Sequence, residues 1–171
     1  MPRADLGSNL DRRRIVIVDT GPLWELVLYR AVKELRFVNL ERDLTHFVSR
    51  EAYENCGSFL FSFRKKTTSA SVVAELYGKI QDTQRKGRSQ LWGLVYEEFR
   101  NMSMDEDVVR LLDMQSDFVA KYGPTDVSLI EIARQNVDQK PVILTLDSQL
   151  YTECMRAQIR SDLLIQVCNP L

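Results

Sequence analysis

Two unbroken apolar runs stand out along the chain, and each ends on an aspartate: Ile15-Val16-Ile17-Val18-Asp19 and Val142-Ile143-Leu144-Thr145-Leu146-Asp147. Runs of this length predict strands buried on both faces, the kind found in parallel sheets. Elsewhere apolar positions recur every three or four residues. Leu23, Leu26, Val27, Ala31 and Val32 predict a helix over 23–35. Thr20-Gly21-Pro22 is the turn before it, and Pro22 suits a first helical turn. Val72, Val73, Leu76, Tyr77 and Ile80 predict a second helix, which the hydroxyls of 67–71 lead into and cap.

Further helices are expected over 90–99, 106–121, 126–137 and 149–158. The third of these, 126–137, follows a break at Tyr122-Gly123-Pro124. Short strands are expected around Met102 and Met104 and over 163–167. The stretch 36–66 is less clearly patterned. Within it, 40–53 suits one or two short helices, and 58–63 suits either a strand or an apolar helical turn. Residues 1–12 read as a polar leader, and 13–171 as one domain without repeats or linkers. Alternating strands and helices predict an α/β fold, a three-layer α/β/α sandwich with a mainly parallel central sheet.

Composition changes this picture little. The 171 residues are 44% hydrophobic and 27% charged, ordinary for a globular domain with a sizeable core. Lys and Arg total 23 against 24 Asp and Glu, a formal charge of −1, so any nucleic-acid contact must come from a local basic track. Cys56, Cys154 and Cys168 are odd in number and widely spaced, with no zinc framework, and read as reduced thiols filling space. The single histidine, His46, sits in a polar stretch and argues against His-based triads and His-rich zinc sites. Arg12-Arg13-Arg14 is followed by too few apolar residues for a signal peptide or membrane span, so a cytoplasmic protein is expected.

Candidate chemistry lies in four acids: Asp19, Glu75, Asp126 and Asp147. Asp19 and Asp147 end strands. Glu75 lies early in its helix beside the buried stripe, and Asp126 precedes Leu129 and Ile130 by three and four residues, which puts it at the inward edge of a helix N-terminus. In a doubly wound sheet, strand C-termini and helix N-termini share one rim, so the four can meet. Taken singly, each has an ordinary reading: Asp19 and Asp147 as caps, Asp126 as a first-turn acid, Glu75 as a solvated helix residue. Crowded carboxylates repel and lose solvation, which a divalent cation relieves. Mg²⁺ and Mn²⁺ prefer such oxygen ligands.

With these residues in hand, the chain resembles the PIN-domain proteins, the fold of the VapC toxin ribonucleases. The matching segments are Ile15 to Leu23, Ala70 to Leu76, Thr125 to Ala133 and Val142 to Asp147, in the family's order, and the similarity spans about 14–167. The resemblance implies a Mg²⁺- or Mn²⁺-dependent endoribonuclease. Asp19, Glu75, Asp126 and Asp147 would be its acidic metal-binding and catalytic residues, with the hydroxyls of Thr20 and Thr145 supporting them. It also implies an RNA substrate, an antitoxin partner and a homodimer. The segment at about 37–66 is longer than in compact toxins, which allows a stand-alone protein with another substrate or partner.

Basic clusters occur at Arg12-Arg13-Arg14, at Arg64-Lys65-Lys66 and at Arg85-Lys86-Gly87-Arg88. Arg64, Lys65 and Lys66 are the better candidates for RNA phosphates, since they lie a few residues before the Glu75 helix. Tyr77 and Trp92 can stack bases or fill the core. Asp19-Thr20-Gly21 also matches the aspartic-protease triplet, but that class needs an all-β fold, whereas here the triplet opens a helix. A haloacid-dehalogenase phosphotransferase wants an Asp where Gly21 stands, and no lysine at a late strand end suits a receiver domain. The alternative from another class is a non-catalytic PIN-like module that binds protein or RNA.

Overall fold

The computed structural model describes residues 14–45, 47, 49–83, 87–110, 113–163 and 167. The expected leader, Arg12, Arg13, His46, Arg85, Lys86, Leu111, Leu112 and Cys168 lie outside the described residues.

The two apolar runs form β1 (Ile15–Val18) and β4 (Val142–Thr145), every residue of which is buried. They pair in parallel, Ile17 against Ile143. Around them a five-stranded, wholly parallel sheet is ordered β3-β2-β1-β4-β5, with β2 at Lys65–Ser69, β3 at Met104–Asp107 and β5 at Arg160–Leu163. The chain builds outward from β1 to one edge, then crosses to β4 on the other side. Strand order therefore reverses between β1 and β4.

Seven helices flank the sheet among the described residues: α1 (Thr20–Lys33), α2 (Arg50–Phe61), α3 (Ala70–Asp82), α4 (Arg88–Met102), α5 (Ser116–Tyr122), α6 (Pro124–Gln135) and α7 (Ser148–Arg156). With a wholly parallel sheet between them, the helices make the expected three-layer α/β/α sandwich. α1, α3 and α4 pack on one another, and α6 lies against β2, β1 and β4. The main core gathers Val16, Ile17, Val18, Leu76, Leu129 and Ile143, and a second cluster joins Leu28, Ala31, Leu40, Ile80 and Leu91. None of the described helices is long and apolar enough to cross a membrane.

The open stretch 36–66 becomes a 3-10 helix (Val38–Asp43) and α2, so 58–63 belongs mainly to a helix end rather than a strand. The buried Glu25 carboxylate anchors what lies between, accepting from Thr45 N (3.0 Å), Thr45 Oγ1 (2.6 Å) and Phe47 N (3.2 Å). Two expectations need correction. No helix spans 106–121: Glu106 and Asp107 pair with Thr68 and Ser69 as the end of β3, and α5 starts only at Ser116. Backbone pairing with β2 overrides the helical spacing of the side chains, and Val108 is left 74% exposed. The last strand begins at Arg160, three residues before the expected start, and Leu164, Ile165 and Gln166 lie outside the described residues.

β2 itself was hidden by its composition. Lys65-Lys66-Thr67-Thr68-Ser69 is polar, yet all but Lys65 are buried. Its polar atoms are paired internally, as burial requires. Thr68 Oγ1 donates to Val18 O (2.7 Å), Thr67 Oγ1 to Asp107 Oδ2 (2.7 Å), and Lys66 Nζ to Phe63 O (3.1 Å). The two outer strands carry charge: Asp105 and Glu106 are exposed on β3, and Arg160 is exposed on β5.

Candidate functional site

The reversal between β1 and β4 opens a crevice outside the carboxyl ends of these strands, where ligands of doubly wound sheets bind. Asp19 directly follows β1 and caps α1. Its Oδ1 accepts from Thr20 N (2.6 Å), and its own N–H donates to Leu144 O (3.0 Å). Asp147 stands two residues after β4 and caps α7, accepting from Gln149 N (2.6 Å) and Leu150 N (3.2 Å). Both acids are thus caps and rim residues at once, so the two readings of their sequence positions are compatible. Gly21 lets the two sides approach: a Cβ on it would lie 3.0 Å from the Leu146 side chain.

Three threonines organise the acids. Thr145 Oγ1 donates to Asp19 Oδ2 (2.7 Å) and accepts from Asp147 N (2.9 Å), linking the ends of β1 and β4. Thr20 Oγ1 donates to Glu75 Oε2 (2.7 Å), and Thr125 Oγ1 to Glu75 Oε1 (2.6 Å), which ties α3 to the N-termini of α1 and α6. All three threonines are buried. Thr125 escaped the sequence reading; its signal was only that it is a hydroxyl at the opening of a helix, next to Asp126. A further pair, Ser69 Oγ and Ser128 Oγ (2.7 Å), holds the end of β2 to α6 beneath them.

Asp126 is different. It is half-buried in the first turn of α6, and among the described residues it has no hydrogen bond or ion pair. Burial, followed by the charges of Asp19, Asp147 and Glu75, raises its carboxyl to about 7. Burial also raises Asp19, and Glu75 and Asp147 add to that, while hydrogen bonds from Thr145 and Thr20 oppose it. The four acids are therefore close enough to feel one another, and the charges acting most strongly on Asp126 are all negative.

The donor chemistry fits a hard divalent cation: four carboxylates, three hydroxyls, and one acid without a partner. The side chains as they stand do not close around one. Glu75 is held by two threonines and Asp147 by helix N–H groups, and among the described residues no three of His, Cys, Asp or Glu stand in metal-holding geometry.

The structure does not bring Arg64, Lys65 and Lys66 to this rim. They stand at the start of β2, whereas the acids lie beyond the ends of the parallel strands. Lys66 is buried, with its ammonium on a backbone carbonyl and near the Phe61 ring. Tyr77 and Trp92 are neighbours at 5.9 Å on α3 and α4; Tyr77 is exposed, and Trp92 packs partly against the core. Cys56 and Cys154 are buried and form no disulfide among the described residues, as space-filling residues should be. A comparison with known protein families finds no family model that matches this chain, and no curated protein matches it either.

Proposed function

We propose that the acidic rim binds Mg²⁺ or Mn²⁺ and that the protein is a metal-dependent endoribonuclease of the PIN-domain kind. The observation that carries this reading is the convergence of Asp19, Glu75, Asp126 and Asp147 on the strand-order reversal, with no ion pair to any of them among the described residues. Asp19, Glu75, Asp126 and Asp147 would hold the ion. When bound, it supplies an activated water and neutralises charge on an RNA phosphodiester. The chain's own part is positional. Thr145 fixes Asp19 relative to β4, Thr20 and Thr125 hold both oxygens of Glu75, and the half-buried Asp126 presents a carboxylate that gives up its proton near neutrality. The reading extends to a cytoplasmic location and, as the family resemblance implies, to an antitoxin partner and a homodimer.

The test is cleavage of a labelled structured RNA by the purified protein with Mn²⁺ or with EDTA, beside Asp19→Asn. Cutting is expected with Mn²⁺ only and is lost in the variant, and Mn²⁺ raises the melting temperature of the wild type. An Asn variant that cuts at the wild-type rate would show that the site is wrong.

One observation favours a second reading. Glu75 and Asp147 are already occupied by protein donors, which suits a non-catalytic module that binds protein or RNA. That module would show neither cleavage nor stabilisation by Mn²⁺.

A further inference from the structure

The end of the sheet away from the acids carries a feature that the nuclease reading does not use. A cleft of about 560 Å³ is lined by Arg14, Arg64, Lys65, Asp138 and Gln139. Arg14 and Arg64 immediately precede β1 and β2, Lys65 opens β2, and Asp138 and Gln139 lie just before β4. Three neighbouring strands thus deliver their leading residues to one place. Parallel pairing forces this, since Ile15 sits opposite Lys65 and Val16 opposite Val142.

Three of the five lining residues are cationic. Arg64 is exposed and has no ion pair among the described residues, while Lys65 reaches Asp107 at only 3.8 Å, both side chains being about one-third exposed. Asp138 is the single acid in the lining. The second observation is independent of charge: the Nε of Arg14 is buried and has no hydrogen-bond acceptor among the described residues. Buried donors are almost always paired, because an unpaired one loses its hydration without compensation. A guanidinium with a free donor beside two further cations matches an anion with several acceptor oxygens, and phosphate accepts Arg in a bidentate fork.

We propose that this cleft is a phosphate site, in which Arg14, Arg64 and Lys65 hold a phosphate group at the end of the sheet opposite the acids. From Arg14 to Asp19 the chain advances five residues of extended strand, about 16 Å. A phosphate held here is therefore not the one that would be cut at the rim, and the site stands whether or not the rim is a nuclease. The phosphate can belong to an RNA strand or to a small phosphorylated compound, and the two sources are separable.

Pyrophosphate is the probe. Thermal unfolding of the full chain is followed in EDTA, at constant ionic strength, with and without pyrophosphate. Wild type and Asp126→Asn should both gain roughly 5 °C at saturation, and Arg64→Gln/Lys65→Gln should gain none. In the same titration the Arg14 Nε–H resonance of arginine-labelled protein should shift. No gain in the wild type, or an equal gain in the double variant, would overturn the site. A labelled single-stranded RNA, again in EDTA, identifies the source. A tenfold or greater loss of RNA affinity in the double variant supports the site with a strand phosphate as ligand. Unchanged RNA affinity, with pyrophosphate protection still lost, supports it with a small phosphorylated compound.

Discussion

Two acidic clusters in this molecule are resolved in opposite ways. On α1, Arg30 gathers three glutamates: Glu34 at 2.7 Å, Glu97 at 2.7 Å and Glu98 at 3.0 Å. Burial raises the Glu98 carboxyl, and the guanidinium beside it works against that rise. The cluster carries its own cation and joins α1 to α4. At the rim, four carboxylates converge from four elements, and Asp126, which has no protein donor among the described residues, is pushed up to about 7. Similar charge density is thus structural in one place and uncompensated in the other. An acidic cluster calls for an external cation only where the chain has not supplied one.

Breaking the compensated cluster has the largest expected effect. Arg30→Met leaves Glu98 buried without its partner, which should cost about 3 kcal/mol in denaturant unfolding. A loss below about 1 kcal/mol would mean that the cluster is no more than a surface ion pair. Next is the hydroxyl between the two strand ends. Thr145→Val keeps the shape but removes the donor to Asp19 and the acceptor for Asp147 N, a loss of about 2 kcal/mol. If the rim holds metal, the same variant should weaken Mn²⁺ binding at least tenfold by calorimetry.

The smallest effect has the opposite sign. Asp126→Asn should stabilise the metal-free protein at pH 8 by about 1–2 kcal/mol, a figure reduced for the half-exposed position of this side chain. The sign follows from linkage. The folded pKa of Asp126 lies above its ordinary value of 3.8, so its proton favours the fold. That contribution is complete below about pH 4 and is lost as pH rises towards about 7. Wild type and variant should therefore unfold together near pH 4 and separate steadily up to neutrality. Curves that run parallel across this range would show that Asp126 is not under the pressure of its neighbours.

Much of this arrangement was legible in the sequence because the apolar runs and helical spacings decide it. β1 and β4 announce themselves, α1, α3 and α6 follow from spacing, and their ends put Asp19, Glu75, Asp126 and Asp147 on one rim. What was not legible traces to β2. A central strand of lysines, threonines and a serine has no apolar signature, and it can be buried only because each hydroxyl finds a specific partner, Thr67 and Thr68 across the sheet and Ser69 on α6. With that strand unseen, Arg64, Lys65 and Lys66 counted as a few residues from Glu75. Once the segment is extended, the same residues lie at the other end of the sheet. The misread helix over 106–121 has the same origin, because β3 exists only by pairing with β2.

The charged border of the sheet has a consequence for how the protein behaves in bulk. β3 is an edge strand of the sheet among the described residues, and its Met-Asp-Glu-Asp sequence sets exposed carboxylates along that margin. A strand from another molecule added there would have to bring its own chain against this charge. At neutral pH the margin resists fibre growth. Without those carboxylates the protection is withdrawn, and a chain carrying Asp105→Thr and Glu106→Thr should be the one that gels or precipitates on storage.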